Sequence, residues 1–296
     1  MSAGIKPRRS LLFVPTSNTR ALEKARGLAA DVIILDLEDA VATSAKELAR
    51  EQAERVIMEG FNGREIALRI NGIDTPWFAD DMALIARATP AAVLLPKVSS
   101  PEALRGLTHQ LDALGVPQRL RVWAMIETAR AVIDADAIAR SRDDRNSRLD
   151  LLMLGTNDLA HETGARMIPG RLPFLGWLQS VLLAARANGL AVIDAVYNNF
   201  SDTGGFAEEC NQARDLGFDG KSLIHPSQID IANEVFGPSQ EEIAEAHALI
   251  SAFAAPENAG GGAVKYKGRM IEDLHVASAM SRLALAEAIH ALHSPK

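Results

Sequence analysis

Eight short apolar runs, separated by segments long enough for a helix, constrain this chain more than anything else in it. They are Leu11 to Val14, Val32 to Leu35, Ile66 to Ile70, Ala92 to Leu95, Arg121 to Ile126, Leu151 to Leu154, Leu190 to Ile193 and Phe218 to Ile224. Aliphatic runs without polar alternation belong in a sheet covered on both faces, which means parallel strands with helices packed over them. The connecting segments carry helical spacing, as in Ala21-Leu22-Ala25-Leu28-Ala29 and Met82-Leu84-Ile85-Ala88. Eight such units at a spacing of about thirty residues predict an α/β fold, the closed (β/α)₈ TIM barrel, which suits a chain of 296 residues. An open doubly wound sheet is the alternative, but no Gly-x-Gly-x-x-Gly follows the first run.

Beyond Ile224 the pattern changes. Ser239 with Glu242 three residues on reads as a capping box that opens a helix running to about Phe253. Pro256 to Gly262 reads as a flexible turn or linker, followed by Ala263 to Met270 and a last helix from about Leu274 to His290. The expected division is a barrel domain over 1–235 and a C-terminal helical extension over 236–296.

Composition excludes several function classes. A net charge of -7 argues against general nucleic-acid binding. No apolar run reaches the length of a bilayer span, and the segment from Met1 to Arg9 lacks a signal-type apolar core, so a cytoplasmic protein without membrane attachment is expected. The single cysteine, Cys210, allows no internal disulfide and argues against a cysteine-based metal site.

In a barrel of this kind the chemistry lies at the carboxyl ends of the strands, so the polar residues closing each apolar run are the candidates. The second run ends in Asp36-Leu37-Glu38-Asp39. Three carboxylates against an apolar strand repel one another and need positive charge, either a metal with its waters or a network of arginines and amides. Simple capping of the next helix is the plainer reading. The other ends supply Arg20 and Lys24 after the first run, Arg69 and Asn71, Lys97, Glu127, Asn157 and Asp158, Asp194, and His225. Glu127 and Asp158 close adjacent runs, and two carboxylates with waters are what Mg²⁺ prefers. The acids of the second run would then hold metal-bound waters, while Arg69 and the backbone around Gly155, Thr156 and Asn157 could bind a substrate carboxylate. From the residues alone, Glu272 reads as a first-turn acid of the last helix.

These segments carry a resemblance. Arg9 to Pro15, Leu35 to Val41, Leu68 to Asn71, Leu95-Pro96-Lys97, Ile126-Glu127-Thr128 and Gly155 to Leu159 are similar, in order, to the citrate lyase β-subunit-like enzymes of the HpcH/HpaI aldolase superfamily. Arg20 to Ala25, Val196-Tyr197-Asn198 and Gly220 to Pro226 most resemble malyl-CoA and citramalyl-CoA lyases. The resemblance implies a Mg²⁺-dependent lyase cleaving a 3-hydroxyacyl-CoA to acetyl- or propionyl-CoA and a 2-oxo acid, glyoxylate or pyruvate. Glu127 and Asp158 would ligate the metal. Arg69 and the Gly155 to Asp158 loop would hold the oxo acid, and Arg20 and Lys24 the CoA phosphates. It further implies a homotrimer or hexamer in which the C-terminal segment covers a neighbouring subunit's site. There an acidic residue, usually Asp and here Glu272, exchanges a proton with the thioester α-carbon. Two other outcomes on the same scaffold stay open, a malyl-CoA thioesterase and a citrate lyase β subunit acting on an acyl carrier protein. A non-catalytic acyl-CoA-binding protein is the alternative from outside enzymology.

Overall fold

The computed structural model describes residues 5–255 and 263–293; the expected linker over 256–262 lies outside the described residues. Two compact units are distinguished, residues 8–232 and a second unit from residue 233 onward that also takes in the described residues up to Pro7.

The first unit is the barrel. Its strands are β1 (Ser10–Pro15), β2 (Val32–Asp36), β3 (Glu65–Arg69), β4 (Ala92–Leu95), β5 (Arg121–Ile126), β6 (Leu149–Leu154), β7 (Ala191–Asp194) and β8 (Gly220–Leu223). All neighbours are parallel, and β1 pairs with β8 through Ser10 with Lys221, Leu11 with Ser222 and Leu12 with Leu223. That pairing closes the sheet and excludes the open arrangement. The eighth strand starts two residues later than the apolar run suggests, because the Asp219 carboxylate accepts the Val192 N–H at 2.8 Å where a strand residue would use its carbonyl.

The alternation of side chains along each strand decides what faces the barrel axis. Leu11, Val32, Ile34, Ala67, Ala92, Leu94, Trp123, Met125, Leu151, Met153 and Ile193 form one buried inner cluster. The intervening Ile33, Leu35, Leu68, Val93, Val122, Ala124, Leu152 and Val192 are buried outside the sheet, which is why the runs show no polar alternation. The same parity corrects one expectation. Since Ile193 faces inward, Asp194 faces outward, where it meets Lys221 Nζ at 2.6 Å and Arg171 Nη1 at 2.8 Å. Asp194 therefore belongs to a buried ion cluster behind β7 and β8, not to the barrel mouth.

At the amino end of the barrel, Arg8 reaches Glu65 at 2.9 Å and Asp150 at 2.7 Å and lies 4.8 Å over the Trp123 ring. Three of the helices on the outside begin with side-chain caps: Asn18 accepts from Ala21, Thr128 from Ala131 and Asp202 from Gly205. Among the described residues no helix is long and apolar enough to cross a membrane.

In the second unit, the helix Gln240–Phe253 opens with the expected reciprocal Ser239 and Glu242 capping box. Over a stretch to which the sequence reading assigned no element, β9 (Ala263–Tyr266) and β10 (Arg269–Glu272) form an antiparallel hairpin. Lys267 and Gly268, both with positive φ, make its turn, a geometry that matches the twist of the two strands. The last helix, Asp273–His293, starts one residue after Glu272. Glu272 is therefore the exposed end of a strand, and Asp273 takes the first-turn position.

Gly220 shows how tightly the closure is packed. A Cβ there would lie 1.9 Å from the Arg8 carbonyl oxygen, a backbone atom with no freedom to yield. Gly220→Ala is expected to destabilise the barrel by about 3 kcal/mol, read as a lower urea midpoint. Gly106→Ala, in the helix Pro101–Ala113 with open space around it, is the control and should stabilise by about 0.5–1 kcal/mol.

Candidate active site

Continuing the inward parity past the last apolar residue of each strand brings polar side chains to the carboxyl mouth. Asp36 follows Ile34, Arg69 follows Ala67, Glu127 follows Met125 and Gly155 follows Met153, each two residues on. They line a cavity of about 310 Å³ together with Phe13, Asp39, Thr156, Asn157, Asp158, Val196, Ser222 and Ile224.

Its central contact is an ion pair between register neighbours on β2 and β3. Arg69 donates from Nε to Asp36 Oδ1 at 2.8 Å and from Nη2 to Asp36 Oδ2 at 2.6 Å, while its guanidinium lies 4.8 Å over the Phe13 ring. Burial pulls the arginine's pKa down, but the Asp36 hydrogen bonds and the nearby acids outweigh it and hold the pKa above its ordinary value. Asp36 also accepts the N–H groups of Glu38 and Ala40, so both of its oxygens are engaged and it shapes the acidic loop. Of the two possibilities raised by the acid cluster, the arginine-and-amide network is the one Asp36 joins.

Glu38 and Glu127 are in a different condition. Glu38 Oε2 lies 2.9 Å from Arg69 Nη1 without hydrogen-bond alignment and has no hydrogen-bond partner. Desolvation, with Asp36 and Asp39 nearby, pushes its carboxyl up to about 7 against the pull of Arg69. Glu127 is buried and accepts one hydrogen bond, from the Lys97 N–H at 2.7 Å. Burial first, then the charges of Glu38 and Asp158, push its pKa up to about 8. Asp158 stands in the first turn of the helix Thr156–Thr163, and Asp39 is exposed, 3.7 Å from Arg69. Gly155 is a glycine for want of room: a Cβ would lie 2.5 Å from Glu127 Cβ and Oε2.

Among the described residues no group of three or more His, Cys, Asp or Glu converges as a metal cage. Glu127 and Asp158 can still offer two oxygen ligands to an ion that keeps part of its water, which is the habit of Mg²⁺. A crowded, desolvated carboxylate cluster with an unpartnered oxygen is an environment that a divalent cation would relieve.

The structure does not bring every sequence candidate to this cavity. Arg20 and Lys24 are exposed on the helix Thr19–Arg26 and do not line it. The Gly155 N–H is already donated to the Ile126 carbonyl, so of the expected anion nest only Thr156 and Asn157 keep helix-terminal amides. Asn157 exchanges side-chain hydrogen bonds with Asn198. Asn71 turns to Asp81 and Lys46. His225 stacks on Phe200 at 4.5 Å and bonds Ser227, outside the cavity lining. Glu272 lies in the second unit.

Sequence reasoning passed over Phe13, Ser222 and Val196, although inward parity would have found the first two. It also passed over Lys46. This buried ammonium donates to the Leu37 and Glu38 carbonyls at 2.6 and 2.8 Å and to Asn71 Oδ1 at 2.7 Å, fixing the acidic loop from below.

Comparison with known proteins agrees with this geometry. Residues 9–226 match the family described as HpcH/HpaI aldolase/citrate lyase. A (3S)-malyl-CoA thioesterase of Cereibacter sphaeroides (strain ATCC 17025 / ATH 2.4.3) is 46% identical over 96% of each chain. An L-malyl-CoA/beta-methylmalyl-CoA lyase of Cereibacter sphaeroides (strain ATCC 17029 / ATH 2.4.9) is 32% identical over 97% of this chain and 96% of that one. Among solved structures, the protein CitE from Mycobacterium tuberculosis in complex with magnesium, acetoacetate and coenzyme A is 31% identical. It superposes with a TM-score of 0.74 over 94% of this chain and 97% of its own. A closed barrel with its acids and arginine gathered at the strand ends, matched over most of its length by enzymes of one group, belongs to the HpcH/HpaI aldolase/citrate lyase family.

Proposed function

We propose that this chain is a Mg²⁺-dependent thioesterase that hydrolyses a short 3-hydroxy dicarboxylic CoA ester of the malyl-CoA type to the free hydroxy acid and CoA. The observation that carries the reading is the 46% identity, over 96% of both chains, to a (3S)-malyl-CoA thioesterase. Lyase relatives stand at 30–33%. Carbon–carbon cleavage, the outcome expected from the sequence, is the second reading, favoured by the 32% identical malyl-CoA/beta-methylmalyl-CoA lyase.

In either reading the residues divide the work in the same way. Glu127 and Asp158 would hold the metal, which would supply Lewis acidity toward the substrate's oxygens. Arg69, fixed by Asp36, is the cation for the substrate's free carboxylate, which would share Nη1 with Glu38, and the Thr156 and Asn157 amides lie at the same cavity. Glu38 and Asp39 would add negative charge to that cation site. Phe13, Met125, Leu154, Val196 and Ile224 form most of the apolar wall and limit the acyl group to a small one. Arg20 and Lys24, exposed beside the first strand, serve the CoA phosphates. Glu272 is assigned the proton transfer on the resemblance: for hydrolysis it takes a proton from the water whose oxygen adds to the thioester carbon as the C–S bond breaks. The departing thiolate takes up a proton as CoA. A homotrimer or hexamer is part of the same reading.

The deciding experiment incubates the protein with Mg²⁺ and malyl-CoA and follows free CoA, malate, acetyl-CoA and glyoxylate together. Free CoA and malate in equal amounts, without glyoxylate, support hydrolysis; acetyl-CoA and glyoxylate in equal amounts establish the lyase. Glu272→Gln is expected to keep the fold and Mg²⁺ binding while losing most turnover, and full activity in that variant removes Glu272 from the chemistry.

A pH prediction follows from Glu127. Between its ordinary value of 4.5 and about 8, the folded metal-free protein keeps a proton that the unfolded chain releases, so this group's contribution to stability falls as pH rises. Glu127→Gln has no such loss. Its melting temperature, measured without metal, should gain on the wild type from pH 5 to pH 8, and a constant difference across that window would contradict the burial argument.

A further inference from the structure

Three cations stand against the acid cluster, and they are held very differently. Arg69 is locked by Asp36 on two sides, and Lys46 is tied by three hydrogen bonds. Lys97 is the loose one. Its Nζ lies 3.8 Å from Asp158 Oδ1 and 4.0 Å from Glu38 Oε1, within ion-pair range but beyond a hydrogen bond, and its side chain is 52% exposed.

Its backbone is the opposite of loose. Lys97 has φ +52°, a left-handed conformation that a residue with a Cβ seldom takes unless its surroundings demand it. Here the demand is visible: that conformation aims the Lys97 N–H at Glu127 Oε1, 2.7 Å away. One residue thus holds a buried carboxylate with its amide and extends its ammonium toward Asp158 and Glu38.

We propose that Lys97 is the built-in counter-cation of this site, holding the carboxylates in the metal-free protein and leaving Asp158 and Glu38 when a divalent cation binds. The inference rests on the reading of Glu127 and Asp158 as the cation's ligands. A unit charge about 4 Å from a ligand oxygen repels an incoming cation strongly, so the ammonium must swing outward or weaken binding. Its exposure provides the room to swing. Burial lowers the Lys97 pKa, but Glu38, Asp158, Asp39 and Glu127 together raise it above the ordinary lysine value, so the ammonium remains charged at neutral pH. The consequence is a site that stays organised without metal and binds its cation reversibly, because each binding event displaces a resident charge.

The test measures Mn²⁺ and Mg²⁺ affinity of the full chain by titration calorimetry, with free Mn²⁺ followed by electron paramagnetic resonance. Lys97→Met removes the charge while keeping an unbranched side chain one atom shorter and the backbone N–H, and it should bind the ion at least about fivefold more tightly. Lys97→Arg keeps the charge and should stay within about twofold of wild type. Without metal, Lys97→Met should melt below wild type, and saturating Mg²⁺ should close the gap. Equal or weaker affinity in Lys97→Met, with wild-type binding intact, overturns the counter-cation alone. Wild-type binding that is unchanged in Glu127→Gln and Asp158→Asn overturns the ligand reading, and the counter-cation with it.

Discussion

The bidentate pair between Asp36 and Arg69 is the interaction on which the mouth of this barrel depends. The two residues are register neighbours on β2 and β3, so the sheet itself delivers the carboxylate and the guanidinium to each other. Everything nearby is built against that pair. Asp36 gathers the amides of the acidic loop, Arg69 covers Phe13 with its flat face, and Glu38 approaches the remaining arginine nitrogen. A buried pair of this kind adds little net stability, because its Coulombic gain is largely offset by desolvation, but it is costly to break from one side. Its value here is orientation: a guanidinium gripped along one edge presents its other edge in a fixed direction.

Around that pair the charge does not balance locally. Glu38, Asp39, Glu127 and Asp158 face Arg69, Lys46 and Lys97, and Arg69 is already largely engaged by Asp36. The carboxyls at Glu127 and Glu38 respond by holding protons well above the usual range. A site in this condition is a demand for positive charge written into the fold. It also explains the glycine at 155, since the closeness of Glu127 to the β6 end leaves no space for a Cβ.

Hydrolysis of a thioester and cleavage of a carbon–carbon bond beside it call on the same anchoring. Both need a small carboxylate held, an oxygen polarised and water controlled, and they differ in which bond to the acyl group yields. The chain is similar to proteins of both kinds, thioesterases at 46% identity and lyases at 30–33%.

How much of this was legible in the chain follows from side-chain parity. The eight apolar runs and their spacing determine the barrel, because a strand covered on both faces and a helix over it leave an unmistakable repeat. The same repeat places Asp36, Arg69 and Glu127 at the mouth. It fails where one residue's difference reverses the face, as at Asp194, or where a hairpin not foreseen runs up to the helix start, as at Glu272. Lys46, and the contacts of the strand-end candidate Lys97, lay beyond sequence reasoning for another reason. Each acts through partners 8 to 61 residues away, and nothing local in the chain records which lysine will be buried under a loop and which will hang over a carboxylate. The sequence by itself determined the barrel and the polar residues that end its strands; the tertiary structure alone decided which of those charges meet, because that depends on closure of β1 onto β8 and on distances between loops that only the folded sheet sets.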